Sequence, residues 1–501
     1  MDTVSPFNLY PSFASAKMAF EQVNSSLSRA LDTWDIGVQA NSIRTLTIVF
    51  LVAIWIAILC RPSEKFEKFQ PPLVPSWIPW LGHGLQYIRS PSNFLKIHRC
   101  VQLYSVRRSW LLIHYHSRQY GSVYKFLAGG KYLVVISNPT TITNFLRDRS
   151  NTIDVLNFQS MHLIAGIKDA SRMPYIYPLI QGPVLSHAAS GLSQRHLSNL
   201  AFLLNQKLFS LLSSVTSDSE VTVGVAELVR RNIYIAASYA MLGPHYPSEE
   251  TYEDFILFDE NVKDVIQKPS FLPKLAAEKA RDRIAAKLLD FVHRYWREED
   301  GGYLLGAEDS YMTNVIREMK ASNLNEEEAS RLQNVWLWGA HSNLIQVAVW
   351  LLYYLITDRN MLSKIREEIH HSLDGNFSGI ESLLEADPRA LDNPQFPLLN
   401  SAIKETMRMV LLPSSVRVAT ADTQIKDERG QPIHIRKGEV ILADVRSMHL
   451  NEEFYEDANT FKFDRFARWK GINSPEKKHL IPFGAGSHFV RFNPSKCPTI
   501  Y

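Results

Sequence analysis

LNSAIKETMRM, the stretch from Leu399 to Met409, closes a long run of helical periodicity and carries a glutamate and an arginine three residues apart. At this spacing Glu405 and Arg408 share one face of a helix. Most such pairs lie at the surface and contribute only about 0.3 kcal/mol. The meaning of the pair therefore depends on the residues C-terminal to it.

Several landmarks come after the pair in order: Arg417, the alternating stretch QPIHIRKGEVILAD (431–444), His449, Arg465 in FKFDRF, and HLIPFGAGSHF, which ends at Phe489. The alternation around Lys437-Gly438 predicts a β-hairpin, as does KFLAGGKYLVVISN (125–138) with Gly129-Gly130 at its turn. Residues from about 190 to 410 have helical periodicity. The sequence therefore predicts a mainly α fold with small β-sheets.

Composition excludes several classes of protein. The 501 residues are 46% hydrophobic and 11% aromatic, which excludes a largely disordered chain. A net charge of +3 excludes a polybasic nucleic-acid arm, and we expect no nucleic-acid partner. The three cysteines are scattered, so they predict neither a disulfide framework nor a paired metal site.

The run TLTIVFLVAIWIAILC (45–60) carries no charge and would span about 24 Å as a helix. A signal peptide is excluded because some 40 residues precede the run, and a buried core helix is the alternative. Basic residues that follow it at Arg61, Lys65 and Lys68 place the downstream chain in the cytosol. We predict a leader (1–41), a transmembrane anchor (42–61), a Pro-rich hinge (62–92) and a catalytic domain (93–501).

Over roughly residues 70–489 the ordered landmarks resemble the cytochrome P450 haem-thiolate monooxygenases. Glu405 and Arg408 match the Glu-x-x-Arg pair of that family, and Arg465 matches its meander arginine. Phe483 and Gly486 match the start of the haem-binding loop. The resemblance implies a P450 fold behind an N-terminal transmembrane helix, with the two arginines and the glutamate forming a structural charge cluster that does no chemistry.

The same resemblance implies haem as cofactor, with Arg417 and His488 binding its propionates. It implies an NADPH-dependent reductase as partner and a lipophilic small molecule as substrate, of the sterol, terpenoid or other secondary-metabolite class. A location in the endoplasmic reticulum membrane follows, with a single pass and a cytosolic catalytic domain.

The apolar stretch RLQNVWLWGAHSNLIQVAVWLLYYLI (331–356) resembles the oxygen-binding helix of the family. Gly339 and Ala340 would leave room for dioxygen and substrate. The usual acid and threonine are replaced by Asn343 and Leu344, a departure shared with the sterol 7α-hydroxylase and prostacyclin-synthase branch. A peroxide-rearranging synthase of the same fold is therefore an alternative function.

Other features of the sequence are less specific. His341 on this helix is expected to be a core residue and not a metal ligand. Arg195 and His196 are candidates for the haem edge. Residues 155–184 lie where the family has its substrate-recognition loop, and their apolar character suits either a lipophilic substrate or plain core.

The chain departs from the family pattern at the position of the haem-ligating cysteine. Family spacing puts the thiolate cysteine at position 490, which is Val490, and a valine has no lone pair to donate to iron. Cys497 lies seven residues later and is disfavoured as a ligand. The chain as written is therefore predicted to be inactive, with a haem-free pseudoenzyme or binding protein as the literal alternative.

A second departure is the insertion IHRCVQLYSVRRSWLLIHYHS (97–117), which separates segments that are continuous in the family. Every valine codon begins with GT, the dinucleotide that opens most introns, and Val490 stands at the first aberrant position. We interpret residues 97–117 and 490–501 as intron sequence read as protein.

This interpretation predicts that the mature transcript lacks the codons for both segments. Sequencing of the transcript across the codons for Lys96 and Phe489 measures this directly. A mature message that encodes both segments unchanged would contradict the interpretation and would favour an inactivated pseudoenzyme.

Overall fold

A computed structural model describes residues 49–50, 52, 70–74, 76, 81–89, 122–148, 151–152, 154–186, 188, 194–215, 222–268, 273–296, 311–373, 396–411, 414–427, 430–467 and 479–482. The chain divides into two units. The first comprises residues 1–65 and 77–80, and its described residues, Val49, Phe50 and Val52, are helical and exposed. The rest of the predicted anchor (42–61) lies outside the described residues, and so do residues 97–117.

The second unit is mainly helical, as predicted. Its α-helices are α1 (Gly84–Arg89), α2 (Pro139–Arg147), α3 (Asp154–Ala165), α4 (Met173–Leu179), α5 (Gln194–Val215), α6 (Val225–Leu242), α7 (Ser248–Gln267), α8 (Ala276–Trp296), α9 (Tyr311–Ala321), α10 (Glu326–Thr357), α11 (Arg359–Leu373), α12 (Pro397–Val410) and α13 (Val445–His449). A 3-10 turn (Ala170–Arg172) precedes α4, and a π-helical turn (Ile180–Val184) follows it.

Two small sheets accompany the helices. Their strands are β1 (Val123–Ala128), β2 (Lys131–Ile136), β3 (Asn151–Thr152), β4 (Ser414–Ala419), β5 (Thr423–Lys426), β6 (Pro432–Ile435) and β7 (Val440–Asp444). The larger sheet has the order β1-β2-β7-β4-β3, and β5 pairs with β6 in the other. The first predicted hairpin is confirmed: β1 and β2 pair antiparallel, and both glycines of the turn, Gly129 and Gly130, have positive φ.

The second predicted hairpin is wrong in its pairing. A turn does form at Lys437-Gly438, but it joins strands of different sheets: β6 pairs with β5, and β7 lies between β2 and β4. Alternation of apolar residues shows which face of a strand is buried and does not identify the neighbouring strand. The sequence pattern was therefore compatible with either partner.

Helix α10 is the longest helix of the described chain and packs on α6, α8 and α12. A capping box starts it, in which the Asn325 side chain accepts from the Glu328 N–H and the Glu328 carboxylate accepts from the Asn325 N–H. Among the described residues it alone is long and apolar enough to cross a membrane by length and composition, a test that core helices also pass.

A buried polar contact joins α10 to α6. His341 is fully buried, and its Nδ1 lies 2.7 Å from the Leu337 carbonyl oxygen, to which only a protonated Nδ1 can donate. Its Nε2, 3.1 Å from Ser238 Oγ, therefore accepts the serine proton. Burial lowers the pKa of His341 to about 4, so the ring is neutral at physiological pH. The expectation that His341 is a core residue agrees with this placement.

The charge cluster predicted from α12 is centred on the Glu405 carboxylate, which is fully buried. Arg408 donates to both of its oxygens over 2.7 Å, through Nε and one terminal nitrogen. Arg465 Nε lies 3.0 Å from each oxygen, and the Lys462 N–H donates to Oε1. One carboxylate thus holds two arginines that are 57 positions apart in the chain.

Most of the remaining guanidinium protons of the cluster reach backbone carbonyls, and Arg408 Nη2 also lies 3.0 Å from Met409 Sδ. Arg408 Nη1 donates to the carbonyls of His449 and Ala458. Arg465 donates to the carbonyls of Glu456, Asp457 and Thr460. A buried ionic group is tolerated only when its hydrogen bonds are completed in this way. The cluster therefore connects α12, α13 and residues 456–465.

We expect Glu405→Gln to lower the free energy of unfolding by about 3–5 kcal/mol, because both arginines would stay buried without their counter-charge. Urea unfolding followed by circular dichroism measures the change.

The matched control is Glu327→Gln in α10. Glu327 pairs with Lys168 and Arg331 but is 45% exposed, so we expect its loss to cost at most about 1 kcal/mol. Equal losses for the two variants would contradict a dominant role of the buried cluster.

Candidate active site

One face of α10 borders open space. Gly339 and Asn343 lie one turn apart on this face and are exposed, and Ala340 and Leu344 beside them are half-buried. A Cβ added to Gly339 would meet no heavy atom within 4 Å. The four residues predicted for the oxygen-binding helix therefore lie together on a face with room for a ligand.

Gly339 is not required by the packing of the protein itself. Glycine inside a helix costs about 1 kcal/mol relative to alanine. The φ of Gly339 is outside the left-handed range, and the space beside it would accept a methyl group. Because neither backbone conformation nor crowding explains the glycine, its effect is to keep the open space at this turn wide.

The chemistry offered by the open face is limited. Asn343 has a neutral amide, which donates and accepts hydrogen bonds but has no titratable proton. The Leu344 side chain makes no hydrogen bond and carries no titratable proton. Two turns further on, Trp350 is also exposed and packs edge-on against Tyr353. The face can therefore hold an apolar group with one hydrogen-bonding contact, and its side chains supply no general acid.

Arg417 lies on β4, opposite Ile441 of β7, and is buried. Its Nη1 donates to Ser415 Oγ and to the Val416 carbonyl, each over 2.9 Å. Its predicted role as a partner of haem propionates stays a prediction. Phe483, Gly486, His488, Val490 and Cys497 lie outside the described residues, as do the side chains of Arg195 and His196.

Residues 155–184 form α3, α4 and the turns beside them, and most of their described apolar side chains are core. The buried members are Met161, Ile164, Ala165, Ile167, Met173, Ile176, Tyr177, Ile180 and Val184. Tyr175 is exposed. Of the two interpretations left open by the sequence, plain core therefore applies to these buried residues.

Sequence reasoning missed the polar clamp that holds the end of α3. Arg281 of α8 donates to the Leu163 carbonyl, Arg331 of α10 donates to the Gly166 carbonyl, and the Asn334 amide reaches the Ala165 carbonyl at 3.5 Å. Cations at a helix C-terminus stabilise its free carbonyls. No local motif marks these residues, since their partner carbonyls are more than 100 positions away.

Asp282 completes the clamp between the two arginines. Its Oδ1 accepts from Arg281 at 3.0 Å and from Arg331 at 3.1 Å, and its Oδ2 accepts from Lys274. Burial alone would raise the pKa of Asp282, but these cations outweigh it and lower the pKa. The carboxylate therefore stays ionised and fastens α3 to α8 and α10.

The thiolate donor that the resemblance implies for a haem is missing from position 490, where a valine offers no electron pair to iron. Cys60, Cys100 and Cys497 all lie outside the described residues. The described open face of α10 therefore offers room for a ligand, and the described residues include no thiolate.

Comparisons with known proteins agree with the geometry. The model of the family "Cytochrome P450" matches residues 241–489. Rabbit (Oryctolagus cuniculus) cytochrome P450 7A1 is 24% identical over 480 residues, 88% of this chain and 87% of the relative. Prostacyclin synthase of Bos taurus is 23% identical, covering 85% and 82%. Human (Homo sapiens) 7-alpha-hydroxycholest-4-en-3-one 12-alpha-hydroxylase is 22% identical, covering 85% and 83%.

The solved structure of retinoic-acid-bound cyanobacterial CYP120A1 superposes with a TM-score of 0.61, covering 84% of this chain and 87% of that one at 16% identity. This likeness confirms the predicted P450 fold. The buried Glu405 cluster, the open glycine-bearing face of α10 and these matches have one common explanation: the chain belongs to the cytochrome P450 family of haem-dependent enzymes and is similar to its sterol hydroxylases and prostacyclin synthases.

Proposed function

We propose that this chain comes from a gene for a membrane-attached monooxygenase that oxidises a lipophilic small molecule of the sterol, terpenoid or other secondary-metabolite class. The observation that carries the proposal is Gly339, a glycine inside a helix that keeps open a space the fold does not fill. The apolar residues around it favour a lipophilic occupant. Similarity to hydroxylases of sterol-like compounds supports the same class.

In this proposal the chain supplies position and shape. Gly339 and Ala340 leave room beside α10, Asn343 orients an oxygen-bearing group by hydrogen bonding, and the Asp282 clamp holds α3 against α10. Haem supplies the oxidation chemistry in this family. An electron-donating NADPH-dependent reductase is the partner that such chemistry requires. We place the anchor at residues 42–61, with the catalytic domain on the cytosolic side of the endoplasmic reticulum membrane.

We further propose that the 501-residue form is inactive, because Val490 offers no electron pair to iron. A haem-free protein that binds a lipophilic ligand is the function left to this form.

We expect the 501-residue chain to show no thiolate-type Soret band in a reduced carbon-monoxide difference spectrum, because position 490 carries no sulfur. The matched control carries the C-terminal segment encoded by the transcript without the intron, and we expect the band there. A thiolate-type band from the 501-residue chain itself would refute the proposed loss of ligation.

A second candidate function is a peroxide-rearranging synthase of the same fold. It is favoured by Asn343 and Leu344, neither of which carries a proton for cleavage of dioxygen, and by the similarity to prostacyclin synthases. Such an enzyme would need no reductase.

Gly339→Ala tests the role of the open space in the form encoded by the transcript without introns. We expect the free energy of unfolding of the variant to rise by up to about 1 kcal/mol, because alanine favours the helix. We expect product formation with NADPH and reductase to fall severalfold, because the methyl group occupies the space meant for the ligand.

The control is Ala348→Gly, further along the same helix. This variant should lower the free energy of unfolding. Unchanged turnover in Gly339→Ala would contradict the proposed site. Isomerisation of an organic peroxide to a product of the same elemental composition, without NADPH and reductase and with no oxidation of a second substrate, would replace the monooxygenase by the synthase.

A further inference from the structure

His449 joins the charge cluster to the segment that enters the predicted haem-binding loop. It ends α13 and is fully buried. Its backbone carbonyl accepts from Arg408 Nη1 over 2.6 Å. Its ring Nε2 lies 3.2 Å from the backbone nitrogen of Ile481, two residues before Phe483. His449 therefore bonds on one side to Arg408, the partner of the Glu405 carboxylate, and on the other side to the chain that enters that loop.

The Ile481 contact determines the tautomer of the ring. A backbone N–H can only donate, so Nε2 must accept and the ring proton must be on Nδ1. The other tautomer would bring the N–H groups of Nε2 and Ile481 together, so it is incompatible with this contact.

The charges around the ring keep the acceptor available. Burial, then the Arg408 guanidinium, lowers the pKa of His449 to about 3, and His479 acts in the same direction. The Glu405 carboxylate is already bound to both Arg408 and Arg465. His449 is therefore neutral over the physiological pH range, and Nε2 accepts from Ile481 throughout.

We propose that His449 is a positioning residue, which transmits the position of the buried Glu405 cluster to the chain entering residues 483–490. The identity of that loop rests on the proposed function, but the His449–Ile481 bond does not. Ile481 also packs its side chain on the apolar cluster beside β7 and α13, which brings the amide within reach of the ring.

Hydrogen exchange of the Ile481 amide tests this proposal in the full 501-residue chain in detergent, with single-residue resolution by electron-transfer fragmentation. His449→Gln places an oxygen acceptor near the position of Nε2, whereas the shorter side chain of His449→Asn does not reach it. We expect exchange of the Ile481 amide to be about tenfold faster in the Asn variant, as for a lost hydrogen bond, and close to the native rate in the Gln variant.

His449→Met is the second variant, since it keeps an apolar side chain of similar reach without a strong acceptor. We expect the Ile481 amide to exchange as fast in the Met variant as in the Asn variant. The Met variant serves as the test protein if the Asn variant does not fold. His341→Gln is the control for loss of a buried neutral histidine, and it should leave the Ile481 amide unchanged relative to the rest of the chain.

Native exchange of the Ile481 amide in a folded Met or Asn variant would overturn the proposal. So would equally fast exchange in the Gln and Met variants, because that pattern indicates a packing role without an acceptor. Neither outcome depends on haem, so failure here and failure of the spectroscopic test are distinguishable.

Discussion

The Glu405 carboxylate is the group on which the described fold most depends. A carboxylate with no exposure to water is tolerable only when every lone pair is used, and here two arginines and the Lys462 N–H use them. The arginines in turn hold five backbone carbonyls from α13 and residues 456–460. An irregular stretch that lacks a regular ladder of its own is thus fastened to a helix by one buried anion.

The spacing of the sequence predicted the helix-borne half of this cluster and could not predict the rest. Glu405 and Arg408 face the same way on any helix, so their contact follows from local geometry. Arg465 meets them only through the tertiary fold, and its assignment came from resemblance to a family. The carbonyls that complete the cluster carry no signal in side-chain identity. For the same reason, alternation found β6 and β7 but not the sheets to which they belong.

The site shows the same division between local and tertiary information. Gly339 and Asn343 share a face because they are four residues apart on one helix. His341, between them, points to the other side of α10 and meets Ser238 across more than 100 residues. Helix α10 therefore makes a polar, neutral contact with α6 through His341, and its open face lies on a different side. The clamp of Arg281, Asp282 and Arg331 had no sequence signal, because its partners are backbone carbonyls and distant charges.

The described contacts that hold the fold together do not involve the sulfur ligand that the family has at position 490. Apart from the contact of Arg408 with Met409 Sδ, the cluster, the polar contact of α10 with α6 and the clamp on α3 use nitrogen and oxygen atoms of residues between 163 and 481. None of these described contacts involves a cysteine. Under the proposed loss of ligation, a chain built this way would retain the fold without the sulfur atom that the family chemistry requires. The choice between a monooxygenase and a haem-free binding protein therefore does not depend on the fold. It depends on whether the chain that continues beyond His449 and Ile481 delivers a cysteine or a valine to position 490.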